Sequence, residues 1–176
     1  MNISPAHWHL LVNHFPIILV MTGALFLTIG LFMKKDAIKS TALLMIILAA
    51  VTAMIANATG EPAEEQVEGI AGVSHNAIEV HEHAAQTGLV ITLITGAIAL
   101  ISAFVFAKNK KTGNAFVIIT LIAALVSSGY MSYVGLTGGE IRHSEIRGDF
   151  GRNATAGQTE ATTPQSGAQE REDDDD

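Results

Sequence analysis

Four stretches of the chain carry no charged residue at all: 15–33, 41–60, 84–107 and 114–139. Each is close to the roughly 20 apolar residues that a helix needs to cross a bilayer. A water-soluble bundle would place a charge on each helix about every two turns, because one face of every helix meets solvent. Uninterrupted runs of this length instead predict an all-α, four-helix transmembrane bundle. The expected helices are about 9–33, 37–59, 75–107 and 114–136.

The punctuation between the runs refines this picture. Pro5 suits a helix start, and Pro16 loosens the first turns of helix one. Gly60-Glu61-Pro62 reads as a stop signal, followed by a loop with a short helix near 63–68. Ser74 is the expected N-cap of helix three. Thr112-Gly113-Asn114 reads as a turn before helix four, and Gly138-Gly139 as a break after it. Helices one and three both bring in histidines, but no internal repeat is evident. The membrane domain is expected to be 1–143, and 144–176, polar and closed by four aspartates, has too few apolar groups to order itself. No cleavable signal peptide is expected, since the first apolar run is too long for one.

Charge sets an expected orientation. All six lysines fall in two short connections, at Lys34, Lys35, Lys39, Lys108, Lys110 and Lys111. Basic residues of short loops stay cytoplasmic, so both termini are expected outside, in the periplasm of a bacterium, with the protein in the inner membrane. The opposite connection carries Glu61, Glu64, Glu65, Glu68, Glu79 and Glu82 and no lysine. Arg142 and Arg147 run against this trend but lie beside acidic neighbours. The net charge of −7 argues against nucleic acid. With no cysteine in the chain, cysteine-ligated iron–sulfur clusters and covalent c-type haem are excluded.

The candidate chemistry lies in seven histidines: His7, His9, His14, His75, His81, His83 and His143. On this topology all fall at the outer end, where ionisable groups near hydrocarbon mark function or a cofactor. His7 and His9 flank Trp8 at an expected interface, and His75 and His83 are expected in water. His14 lies inside the first turns of helix one and needs a polar partner or a metal. On helix three, Gly88 and Thr92 each lie about 20° from His81, whereas Gly88 is about 140° from His83. His81 therefore heads a small-residue stripe through Thr95 that permits close packing or room for a flat macrocycle. Gly23 and Gly30 on helix one carry the same two readings.

Two imidazoles from facing helices suit bis-histidine haem b. The expected ligands are His14 and His81, with His9 and His143 next. The alternative is non-haem zinc, iron or copper held by His14, His81, His83, Glu61 and Glu140. A third reading is a structural subunit of a larger membrane complex. An electron-transfer or accessory subunit is expected rather than a stand-alone enzyme, since nothing in the sequence resembles a nucleophile with its base.

Several motifs resemble an uncharacterised bacterial family of four-helix membrane proteins catalogued as a domain of unknown function. They are His9 and four residues later His14-Phe15-Pro16, then Thr59-Gly60-Glu61-Pro62-Ala63-Glu64-Glu65, His81-Glu82, and Gly138-Gly139-Glu140 with His143 close behind. The resemblance covers about 6–146 and leaves out the acidic tail. Some members of that family are fused to Rieske-type domains, and the architecture is similar to small cytochrome b anchors. The resemblance thus implies membrane electron transport with haem b. The partners it implies are the bilayer and separate membrane or periplasmic redox proteins, and a homo-oligomer is a further expectation.

Overall fold

The computed structural model describes residues 3–146. The tail expected to be disordered lies outside them, apart from its first three residues. The first helix comes in two pieces, α1 (Pro5–Val12) and α2 (His14–Phe32), followed by α3 (Asp36–Val67), α4 (His75–Lys108) and α5 (Lys110–Glu140). Four segments are long and apolar enough to cross a membrane: Pro5–Phe32, Asp36–Val67, His75–Lys108 and Lys110–Glu140. At 1.5 Å per residue each is longer than a hydrocarbon core of about 30 Å, so the helix ends project past it.

The packing is that of a membrane bundle. Only 28–39% of the most apolar window of each span is buried inside the molecule. The outer faces carry exposed Leu25, Phe26, Ile94, Phe104, Ile122 and Val126. The interior holds small and hydroxylated side chains, with Thr92, Thr95, Ser102, Thr120 and Ser127 all buried. Two hydroxyl pairs tie α4 to α5: Thr92 to Ser127 at 3.2 Å and Ser102 to Thr120 at 2.6 Å. Without a hydrophobic drive between helices in lipid, such close packing and shared hydrogen bonds hold a bundle together. In the ring α2 packs on α3, α3 on α4, α4 on α5 and α5 on α2, which leaves α2 diagonal to α4.

Each helix start has a local cause. Ser4 caps α1 by accepting from His7 N, with Pro5 at the first position, and Ser74 caps α4 by accepting from Ala77 N. Pro16 has no N–H for the carbonyl of Val12, and the helix breaks at Asn13 between α1 and α2.

Three punctuation signals turn out to be helical. α3 runs through Gly60-Glu61-Pro62 to Val67, because one missing hydrogen bond at Pro62 is outweighed by docking on α1. Ala63 is buried, and Ala6 N donates to Gln66 Oε1 at 3.0 Å. Thr112-Gly113 lies inside α5, which starts at Lys110 because Asn109 Oδ1 accepts from Lys111 N and Thr112 N. Gly113 is helical there because the Phe106 backbone packs against it. Gly138-Gly139 likewise continues α5 as far as Glu140.

At the lysine-rich end Lys39 is only 4% exposed. Its ammonium lies 2.9 Å from Asp36, donates to Asn114 Oδ1 at 2.9 Å and sits 4.9 Å over the Phe106 ring. Gly30 leaves room for it, since a Cβ there would lie 2.9 Å from Lys39 Cγ. The clasp joins α3, α4 and α5. Lys39→Met should cost about 1–3 kcal/mol, the usual scale for orphaning buried polar partners, and thermal unfolding in detergent would show it as a lower midpoint.

Candidate functional site

At the other end, two histidines turn inward and are held in the same way. His9, on α1, is half-buried, and its Nδ1 lies 3.1 Å from Thr59 Oγ1 and 3.2 Å from the Ala56 carbonyl. A carbonyl only accepts, and the Thr59 hydroxyl already donates to the Ala56 carbonyl at 2.9 Å. Nδ1 of His9 therefore carries the hydrogen, and Nε2 carries the lone pair.

His81, on α4, is half-buried too. Its Nδ1 lies 3.2 Å from Thr137 Oγ1, whose hydrogen is given to the Val134 carbonyl at 3.0 Å. By the same logic His81 Nδ1–H donates, and Nε2 is bare. Neither Nε2 has a hydrogen-bond partner among the described residues. His81 lies within electrostatic reach of His9, and His9 within that of His14.

Glycines line both rings. A Cβ at Gly60 would lie 3.8 Å from His9 Cε1, and one at Gly138 only 3.0 Å from His81 Cε1. The helical course of α3 and α5 past the ends expected at 59 and 136 is what carries Gly60 and Gly138 to the rings. One turn deeper than His9, and on the same side of the helix, lies Asn13. Its buried Oδ1 has no hydrogen-bond partner among the described residues, a demand for a donor that costs about 1–3 kcal/mol if left unmet.

The other candidates lie elsewhere. His14 is exposed, since helical spacing sets it about 140° from His9 around the helix. His83 and Glu61 are exposed as well, and Glu140 is half-buried. No three His, Asp or Glu side chains among the described residues are grouped so that they could hold a metal ion, so the set His14, His81, His83, Glu61 and Glu140 is not drawn together. His75 has Glu68 and Glu79 each at 3.4 Å, but on opposite ring nitrogens, where they cannot share one ion. His143 belongs to a separate unit starting at that residue, in which its Nδ1 lies 2.7 Å from Glu145 Oε1.

The small-residue stripe below His81 faces inward as the helical spacing predicts, with Gly88, Thr92 and Thr95 all buried. The two Thr-Gly pairs were missed as histidine partners. The available signal was their recurrence at the end of the second helix of each hairpin.

Four apolar spans around a small-residue interior, with polar side chains gathered at each end, define a multi-pass α-helical membrane protein. The chain belongs to the family described as predicted membrane protein (DUF2231), which matches residues 5–145. No curated protein and no solved structure matches it.

Proposed function

We propose that the protein is a membrane electron-transfer subunit that holds haem b between His9 and His81. The observation carrying this reading is the matched anchoring of the two rings, each set with Nδ1 against a threonine hydroxyl of another helix, which assigns the hydrogen to Nδ1 and leaves the lone pair on Nε2. That is the state in which imidazole ligates a metal, with its second nitrogen oriented by a hydrogen bond. His9 takes the place expected for His14, which faces outward.

The number of donors favours haem over zinc, iron or copper alone. A porphyrin supplies four equatorial nitrogens, so two protein nitrogens complete its iron. A non-haem site needs three or four protein ligands, and among the described residues no third His, Asp or Glu is grouped with this pair. The unmet acceptor of Asn13 also suits a cofactor with polar edges.

Haem, when bound, supplies a one-electron couple. The chain supplies the rest. Thr59 and Thr137 orient the rings, the bundle half-buries them, and the helix ends past the hydrocarbon edge keep the site near the bilayer surface. The lysine-rich end is cytoplasmic by the positive-inside bias, which puts the histidine end toward a periplasmic redox partner in a bacterial inner membrane. A reporter that is active only in the periplasm, fused after Arg142, should be active, whereas the same reporter inserted at Asn109 should be silent. The reverse pattern would invert the topology.

A further inference from the structure

The two hairpins of the bundle repeat one functional unit. In the first, His9 on the leading helix meets Thr59 on the returning helix, 50 residues on. In the second, His81 meets Thr137, 56 residues on. In each, the ring faces the carbonyl three residues before the threonine, Ala56 or Val134. In each, the threonine hydroxyl spends its hydrogen on that carbonyl, at 2.9 and 3.0 Å. In each, a glycine follows the threonine and lies against the ring.

Agreement in donor atom, acceptor order and following glycine is hard to reconcile with two unrelated packing accidents. Threonine back-bonding to its own helix is common in membrane bundles and would by itself mean little. Here both hydroxyls also receive a ring N–H from a different helix.

We infer that Thr59-Gly60 and Thr137-Gly138 are paired positioning elements, one per hairpin, which fix the tautomer and orientation of the two histidines. The threonine holds Nδ1–H; at Gly138, where a Cβ would lie 3.0 Å from the His81 ring, the glycine also lets the returning helix come close, whereas a Cβ at Gly60 would only make ordinary contact with His9 at 3.8 Å. Histidine in water favours the tautomer with hydrogen on Nε2, which would block that nitrogen from binding a metal. The cradles reverse that preference at both rings. This inference rests on the haem reading for its purpose, but the tautomer itself can be read without haem.

Two measurements test it on the full chain in detergent. The first is the 15N spectrum of histidine-labelled protein prepared without haem. Hydrogen on Nδ1 of both His9 and His81 is expected, and hydrogen on Nε2 of either in the wild type overturns the cradle. The second is haem transfer to apomyoglobin from Thr59→Val and Thr137→Val, which keep the shape and lose the hydroxyl. Each should lose haem about tenfold faster, the lower end of what losing an outer-shell partner costs a metal site, and the serine variants should restore retention. Valine variants that hold haem at the wild-type rate would also overturn it. If wild-type protein binds no haem, the haem reading fails by itself, while the 15N result still decides the cradle.

Discussion

His9→Ala and His81→Ala should each abolish the low-spin haem spectrum, while His14→Ala should retain it nearly in full. The contrast follows from which way each ring faces. His9 and His81 donate from Nδ1 to neighbouring helices and point into the molecule, whereas His14 is exposed on the outer surface. Losing one of two axial ligands removes the low-spin state and, in a site this near the bilayer surface, most of the affinity. All three variants should insert and purify equally, because none removes core packing. Spectra recorded at equal protein concentration make the comparison. A His14→Ala variant without haem beside a normal His9→Ala variant would move the ligand to His14.

The second large effect concerns packing. Gly113→Ala and Gly96→Ala should both destabilise the bundle strongly, and Gly129→Ala should not. A Cβ at Gly113 falls on the backbone of Phe106, and one at Gly96 falls on Ala50 Cβ. Backbone cannot swing aside as a side chain can, so α4 and α5 would have to part at Gly113. Overpacking of this kind typically costs about 1–3 kcal/mol, and the loss should be larger at Gly113 than at a site facing a flexible side chain. At Gly129 a Cβ meets nothing within 4 Å, so the better helix propensity of alanine, worth up to about 1 kcal/mol, is free to act. Thermal unfolding in detergent should rank Gly129→Ala at or above wild type and the other two well below it.

The spans were legible because lipid forbids charges along a whole helix, and the charge-free runs at 15–33, 41–60, 84–107 and 114–139 map onto the four apolar helices. The inward direction of His81 was legible too, since helical geometry ties it to Gly88 and Thr92. The helix ends were not. Gly60-Pro62, Gly113 and Gly138-Gly139 look like breaks in local terms, yet each is a point where another element presses against the helix. Tertiary contact overrides propensity there: Gly113 packs on Phe106, Gly138 on the His81 ring, and the Pro62 turn on α1.

That His9 rather than His14 turns inward was not legible for a related reason. His14 lies nearer the apolar run and so looked the more demanding ring. Helical spacing sets the two rings about 140° apart, but which of them faces the bundle depends on how α1 docks on α3, and periodicity does not give that. With α1 docked on α3, Thr59 and Ala56, both inside the helix expected at 37–59, stand opposite His9 and supply the polar partner it needs.

The most direct test is an absorption spectrum of the intact protein, oxidised and then dithionite-reduced, after expression with ample haem and purification in mild detergent. A Soret band with sharp reduced bands, at one haem per chain, is the predicted result. A featureless spectrum from well-folded protein would contradict the account.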